Sequence, residues 1–457
     1  MSHVQLPAAL ESLAERLQGG QVRAVDLAHE CLEQIDQPKG EGARAFIAVF
    51  HEQALTDARA ADARRDAGRP LSAIDGIPLS VKDLFDLENQ VTRAGSKILA
   101  DTPPAAHDAP AIARLKTAGA VLVGRTNMTE FAYGANGINA HYGTPLNAWD
   151  RISRRIPGGS TSGGAVSVTD GMAAATIGSD TGGSVRIPAA LTGICGFKPT
   201  QRRIPLQGAF PLSFTRDSIG PLGISVRCCA TLDALMAGET PTPFVEPPLK
   251  GLRFGVPTTI LQDDLDEIVS DCFSRALVAL SKAGATIEEF PFPVLQRERD
   301  GSAKANFSAV EAFALHRERM ARAPEQFDPR VLKRLQLGAN ILAADYVDLI
   351  LLRKELMAEA DRATSRFDAL LAPTVPIVAP RIAELETSDA EFFRINGLLL
   401  RNCAPFNVLD RPCLSLPCHP VGSAPVGLMV IGETMGDAKV LAIGAAIERA
   451  LWPVRNA

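Results

Sequence analysis

Helical spacing and short apolar runs alternate along the first third of the chain. Apolar residues that recur every three or four positions predict amphipathic helices, whereas short unbroken apolar runs predict buried strands. Helices are predicted at 7–18, 24–36, 51–67 and 109–118, and strands at 45–49, 76–81 and 120–124. The run at 45–49 could equally begin the next helix. Because strands joined through helices tend to pair in parallel, this alternation predicts a largely parallel sheet covered by helices.

A proline-rich stretch, GETPTPFVEPPLKG at 238–251, interrupts this alternation and predicts an internal boundary, since proline cannot continue a regular element. Further strands are predicted at 252–256, 285–290, 413–417 and 427–432, with one more inside 367–380, and further helices at 264–283 and 435–451. The segment 302–365 is helical in pattern and broken near Pro324 and Pro329, which indicates a helical excursion or cap. A length of 457 residues allows two domains or one large α/β domain.

Composition narrows the classes of function. The hydrophobic fraction of 46% and the charged fraction of 22% are typical of a globular protein, and the net charge is −5. The nearest approach to a basic cluster, RISRR at 151–155, is short and lacks aromatic residues, so we expect no binding to nucleic acid or to an acidic membrane. No apolar run approaches the roughly 18 residues of a membrane span, and the scattered cysteines suit a reducing compartment. These features predict a soluble, cytoplasmic protein.

The region 157–200 concentrates glycine and hydroxyl residues. Its runs PGGSTSGG and GSDTGGSVRIP are separated by small residues, a composition that lets backbone approach backbone or substrate closely. The sequence lacks the signatures of zinc peptidases, of α/β-hydrolase serine nucleophiles, of phosphate-binding loops and of dinucleotide-binding folds. We therefore place candidate chemistry on the two glycine-flanked serines, Ser160 and Ser184.

Ser184 ends the run GSDTGGS. In it the N–H groups of Thr181, Gly182 and Gly183 could turn inward and hold the oxyanion of a tetrahedral intermediate formed by Ser184. The alternative is a tight turn in which Ser184 caps a helix. The same two interpretations apply to Ser160.

A serine nucleophile needs a base, and the spacing of the histidines implicates none of them. Lys82 follows the apolar run GIPLSV. Its amine starts from a pKa of about 10.4 and would need desolvation at the end of a strand to be neutral near physiological pH. The alternative is an ion pair between Lys82 and the adjacent Asp83.

Together these segments resemble the amidase signature family. GGSTSGG, GSDTGGSVRIPA and GICGFKPT follow the glycine–serine core of that family, and IDGIPLSVKDLF is similar to its lysine segment. Further stretches match in the same order: TNMTEFAYG, SFTRDSIGPL, FDALLAPTVPIVAP and APVGLMVIG. Thr161 and Asp170 depart from the family pattern without touching the lysine or the two serines.

The resemblance implies Ser184 as nucleophile, Ser160 as a proton relay preceded by a cis peptide bond, and Lys82 as base. It places the oxyanion hole at the N–H groups of Thr181, Gly182, Gly183 and Ser184, and supporting roles at Ser179, Asp180 and Arg186. It implies no metal and no organic cofactor.

The resemblance also implies a single α/β/α domain over 1–457, with a central twisted mixed sheet covered by helices. In this division 1–238 holds the N-terminal helices and the catalytic core. The linker is 239–250, and 251–457 completes the sheet and includes the excursion at 302–365.

The implied activity is hydrolysis of a C–N acyl bond in a small-molecule amide, anilide or carbamate, by a monomer or homodimer. An apolar acyl or aryl pocket could be lined by Met128, Phe131, Tyr133, Phe210 and Phe214, which could equally belong to the ordinary core. Within the family the alternatives are the glutamine-hydrolysing subunit of a transfer-RNA-dependent amidotransferase, and a hydrolase of allophanate or biuret type. A non-catalytic binding or scaffold protein is the alternative of another class.

Overall fold

The computed structural model of the protein describes residues 7–242 and 245–456. In these ranges eleven strands form one sheet: β1 (Phe46–Val49), β2 (Pro78–Lys82), β3 (Val121–Thr126), β4 (Ala175–Asp180), β5 (Cys195–Lys198), β6 (Ser218–Gly223), β7 (Arg253–Pro257), β8 (Thr286–Phe290), β9 (Ala369–Pro373), β10 (Cys413–Pro417) and β11 (Gly427–Ile431). Their order across the sheet is β1-β3-β2-β4-β6-β5-β10-β11-β9-β7-β8.

The same ranges contain these α-helices: α1 (Leu10–Gln18), α2 (Ala24–Ile35), α3 (Gly42–Ala45), α4 (His51–Asp66), α5 (Pro110–Thr117), α6 (Ser162–Thr169), α7 (Arg186–Thr192), α8 (Val226–Ala237), α9 (Glu267–Lys282), α10 (Val294–Lys304), α11 (Phe307–Arg322), α12 (Pro329–Gln336), α13 (Ala343–Thr364), α14 (Ile382–Glu386), α15 (Asp389–Arg401), α16 (Ala404–Val408) and α17 (Asp437–Asn456). Strands β2 to β6 are buried at every position, so helices cover both faces of the sheet there.

The sheet is mixed, and the expectation of a largely parallel sheet is wrong. β2 pairs in parallel with β3 and β4, and β7 with β8 and β9, whereas the other neighbouring strands are antiparallel. Parallel pairing appears where a helix joins the strands, as α5 joins β2 to β3. β10 and β11 are joined by a turn without a helix, so the chain returns antiparallel. The mixed sheet and the α/β/α class implied by the family resemblance are confirmed.

The proline-rich stretch does not separate two sheets. β5 precedes it and β10 follows it, yet the two strands pair near the middle of the sheet, with Cys413 opposite Lys198. Pro243 and Phe244, inside the predicted linker, lie outside the described residues. The division of the chain at 239–250 stays a prediction.

Helices α10 to α13 form the excursion between β8 and β9. The excursion begins at Val294, earlier than predicted, and it is interrupted at Pro324 and Pro329. Pro329 is the first residue of α12, where the missing N–H of proline costs no helical hydrogen bond. Within the described ranges no single helix is long and apolar enough to span a membrane; the segments Pro329–Asn340 and Ala343–Thr364 meet that criterion only as a pair, bent by 95°.

Two helices, α8 and α15, have capping signals that pattern reading missed. Ser225 Oγ accepts a hydrogen bond from Cys228 N–H at 3.0 Å, and Ser388 Oγ accepts one from Glu391 N–H at 3.1 Å. A serine followed three residues later by glutamate, as in SDAE at 388–391, is a capping signature that could have predicted α15.

Cutting the chain inside 239–250 is expected to leave the two fragments associated, because β5 and β10 are neighbours in one sheet. A protease recognition site inserted there, followed by cleavage and native size-exclusion chromatography, checks this. The fragments should co-elute at the volume of the uncut control. Two separately folded halves would instead show that 239–250 joins independent domains.

Candidate active site

The sheet brings the predicted lysine and serines together at one edge. Lys82 ends β2, and Ser179 lies near the end of β4, the parallel neighbour of β2. Parallel strands end at the same edge, so the two side chains meet: Lys82 Nζ donates to Ser179 Oγ at 2.9 Å. It also donates to Ser160 Oγ at 2.7 Å, from the turn that precedes α6.

Lys82 is a desolvated lysine. Burial is the dominant effect and lowers the pKa of its amine to about 7, although the negative charges of Asp180 and Asp217 act in the opposite direction. The alternative ion pair with Asp83 is wrong. Asp83 Oδ2 accepts the Gly95 N–H at 3.0 Å, and Asp83 Oδ1 lies 3.6 Å from the Arg125 guanidinium.

The two serine segments are joined through their backbones. The peptide bond between Gly159 and Ser160 is cis, as the resemblance implies. The N–H and hydroxyl of Thr161 donate to the Ser184 carbonyl at 3.3 and 2.6 Å. The hydroxyls of Ser160 and Ser184, both described, are not hydrogen-bonded to each other here; contacts of this kind often tighten only when substrate binds.

Ser184 is not a helix cap. Helix α7 begins at Arg186 after Val185, and no side chain caps it. The alternative in which Ser184 serves as a helix cap is therefore wrong. Ser184 lies instead in the loop between β4 and α7, and the chain turns there through Gly183 at φ +131°. A Cβ at Gly183 would lie 2.5 Å from Ile187 Cδ1, so the turn requires glycine.

The carboxylate of Asp180 organises this loop. Asp180 Oδ1 accepts the Gly183 N–H at 2.8 Å, and Asp180 Oδ2 accepts the Val185 N–H at 3.1 Å. The guanidinium of Arg186 donates to both oxygens at 2.9 and 3.0 Å, and the Asn407 amide donates to Oδ1 at 2.9 Å. Because the Gly183 N–H is engaged by Asp180, the candidate oxyanion donors narrow to the N–H groups of Thr181, Gly182 and Ser184.

Asp180 and Arg186 form a fully buried ion pair. Burial alone would raise the pKa of Asp180, but the Arg186 guanidinium outweighs it and holds that pKa well below its usual range. For Arg186 burial would lower the pKa, yet the charge of Asp180 keeps the guanidinium protonated. Both groups are therefore ionised.

A cavity of about 410 Å³ opens beside this loop. Its polar lining includes Ser179 and Thr181 from the loop region, and Asp217 and Ser218 from the opposite wall. Most of the remaining lining is apolar and includes Leu84, Leu206, Phe210, Leu212, Phe214 and Ile219. The structure thus places an apolar cavity next to the candidate oxyanion donors.

Of the five predicted pocket residues, Phe210 and Phe214 line the cavity. Phe131 lies behind the wall, with its ring 5.6 Å from that of Phe210. Tyr133 is buried under the guanidinium of Arg334, and Met128 is wholly buried. In this structure the last three residues belong to the core.

Sequence reasoning missed two residues of the site. Asp217 lies in SFTRDSIGPL, a stretch that the resemblance had singled out without assigning it a role, and its carboxylate accepts the Thr181 hydroxyl at 2.5 Å. Asn407 lies on α16 and reaches Asp180 from a distant part of the sequence. No local pattern marks Asn407.

Known proteins resemble this chain along nearly its whole length. A family model described as Amidase matches residues 26–441. The chain is 34% identical to a glutamyl-tRNA(Gln) amidotransferase subunit from Chloroflexus aggregans, over 96% of each chain. It is 33% identical to 2-amino-5-chloromuconic acid deaminase of Comamonas testosteroni, again over 96% of each. A crystal structure of an amidase superposes with a TM-score of 0.87 at 35% identity, covering 97% of this chain and 99% of the other.

Fold, site and relatives together define an enzyme that hydrolyses amide C–N bonds. The chain belongs to the amidase signature family, as the sequence predicted.

Replacing Asp180 with asparagine is expected to destabilise the fold by about 3–5 kcal/mol, because it leaves the Arg186 charge buried without its partner. Chemical denaturation monitored by circular dichroism measures this. Asp170→Asn is the matched control, since Asp170 pairs with the partly exposed Arg151, and its loss should cost at most about 1 kcal/mol. Equal losses for both variants would contradict the assignment of Asp180 as the organising group.

Proposed function

We propose that Ser184 is the nucleophile, Ser160 the proton relay and Lys82 the base of an acyl-transfer reaction. Neutral Lys82 takes a proton from Ser160 while Ser160 takes one from Ser184, and Ser184 attacks the carbonyl carbon. The N–H groups of Thr181, Gly182 and Ser184 receive the oxyanion. The departing amine takes a proton returned through Ser160, and water then releases the acyl group from Ser184. The contact of Lys82 with Ser160 supports this assignment.

We further propose that the substrate is a neutral, largely apolar amide, anilide or carbamate. The observation that carries this is the lining of the cavity, in which the described residues supply a single charged side chain, Asp217. An apolar wall favours an acyl or aryl group, because a charged group buried there without a partner would be costly. We propose a monomer or homodimer as the working form.

Hydrolysis of glutamine within an amidotransferase complex is the second candidate. It is supported by the relative that is named as one of the subunits of a glutamyl-tRNA(Gln) amidotransferase. Free glutamine carries an ammonium and a carboxylate, so a glutamine site needs a partner for each charge. The apolar lining favours the first candidate, and the presence of Lys82, Ser160 and Ser184 disfavours a non-catalytic binding protein.

The value of kcat/KM is expected to rise with pH through the pKa of Lys82, about 7. Below that pH the amine is protonated and cannot accept a proton, whereas above it the amine is neutral and the rate reaches a plateau. Lys82→Ala should lose about 100-fold or more in kcat/KM, together with this acid limb. A pH–rate profile for each protein measures both effects.

Lys198→Met is the matched control for that experiment. Lys198 is a second buried lysine whose pKa is lowered by burial, but its amine donates to the Pro199 carbonyl at 2.7 Å. The variant should keep the midpoint of the acid limb. An unchanged profile in Lys82→Ala would remove Lys82 as the base.

An apolar p-nitroanilide and an aryl carbamate are expected to be cleaved with kcat/KM about 100-fold or more above that for glutamine, since the cavity rejects charged groups. Steady-state assays of the purified chain measure this, with Ser184→Ala as the inactive control. Preference for glutamine would favour the second candidate, and co-purifying partner chains would strengthen it. Full turnover by Ser184→Ala would remove the proposed nucleophile.

A further inference from the structure

Asp217 connects the wall of the cavity to the loop of the candidate oxyanion donors. It lies just before β6, and its Oδ1 accepts the Thr181 hydroxyl at 2.5 Å and the Ser213 N–H at 3.1 Å. Its Oδ2 accepts the N–H groups of Leu212 and Ser213, each at 3.0 Å. One carboxylate thus holds two segments that both border the cavity.

These hydrogen bonds occupy the Asp217 carboxylate. An ionised carboxylate offers about four lone-pair sites, and Thr181, Leu212 and Ser213 use them all. A substrate could bind Asp217 only by displacing one of these donors. Although Asp217 borders the cavity, its contacts therefore fit a positioning role and not that of a substrate ligand.

The wall segment that Asp217 holds is also anchored from the other side. Glu311, on α11, accepts the Ser213 hydroxyl at 2.9 Å and the Thr215 hydroxyl at 2.6 Å. The segment is therefore held between the helical excursion and Asp217. Through Thr181 this anchorage reaches the loop that carries Ser184.

Thr181 is linked to the catalytic loop by its backbone as well. It directly follows Asp180, whose carbonyl accepts the Ser218 hydroxyl at 2.8 Å. Its own N–H is one of the candidate oxyanion donors. Rotation of Thr181 would move that N–H, and the Thr181–Asp217 hydrogen bond opposes such rotation.

We propose that Asp217 is a positioning residue that acts through the Thr181 hydroxyl: it fixes the oxyanion donors relative to the wall of the acyl cavity. This inference rests on the proposed function of Ser184. It couples the element that contacts the substrate to the element that stabilises the transition state. Its loss therefore reduces the rate of acyl transfer more than it weakens substrate binding.

Thr181→Val and Thr181→Ser form the decisive pair of variants. Valine keeps the shape of threonine but removes the hydroxyl donor, whereas serine keeps the donor. Thr181→Val is expected to lower kcat on the order of 10- to 100-fold with KM within about twofold, since small displacements of reacting groups cost up to about 100-fold. Thr181→Ser should retain kcat within about threefold, because its hydroxyl still reaches Asp217.

Asp217→Asn and the double variant Asp217→Asn/Thr181→Val complete a cycle. If Asp217 acts through Thr181, the double variant should have the same kcat as Asp217→Asn alone. Steady-state kinetics on the p-nitroanilide measure the four proteins, and circular dichroism shows that each is folded. If Asp217→Asn does not fold, the Thr181 pair still decides.

Wild-type kcat in Thr181→Val would overturn the proposal, and so would equal losses in Thr181→Val and Thr181→Ser, or multiplicative losses in the cycle. Ser184→Ala separates this failure from failure of the proposed function. If Ser184→Ala is inactive, the nucleophile stands even when the Asp217 proposal fails. If Ser184→Ala turns over normally, the proposed function fails first.

Discussion

The buried pairing of Asp180 with Arg186 is the interaction on which the rest of the site depends. Two charges with no exposure to solvent would destabilise the fold unless their hydrogen-bonding capacity were filled. Here it is filled from three elements: the loop after β4, the start of α7, and Asn407 on α16. The requirement to satisfy these charges fixes the path of the chain from Asp180 to Arg186, and that path carries Ser184.

The same pairing bears on the charge of Lys82. The negative charge of Asp180 favours a protonated lysine, while burial favours a neutral one. Arg186 offsets much of the negative charge before it acts on the amine, so burial dominates and the pKa of Lys82 falls to about 7. A neutral lysine at this edge of the sheet thus needs both the desolvation at the end of β2 and the positive charge of Arg186.

The sequence was informative wherever the determining contacts are local. The run before Lys82 predicts a buried strand end, and clustered glycines predict a loop of unusual backbone such as that at Gly183. Strand direction was not local: β10 and β11 return antiparallel because of the turn between them, which apolar runs do not encode. Nor could local pattern reveal that Asn407 reaches Asp180, or that Asp83 pairs with Arg125 instead of Lys82, since these contacts exist only after the sheet has formed.

The architecture separates chemistry from substrate selection. Lys82, Ser179 and Asp180 end neighbouring strands of the sheet, where buried pairing leaves little tolerance for change. The cavity wall around Phe214 is anchored instead by Glu311 on α11, within the excursion between β8 and β9. Side chains of this wall can therefore vary in size and polarity without disturbing the Asp180–Arg186 pair. A family built in this way can change its substrate while keeping its reaction, so membership alone defines the bond that is cut and the lining of the cavity defines which molecule carries it.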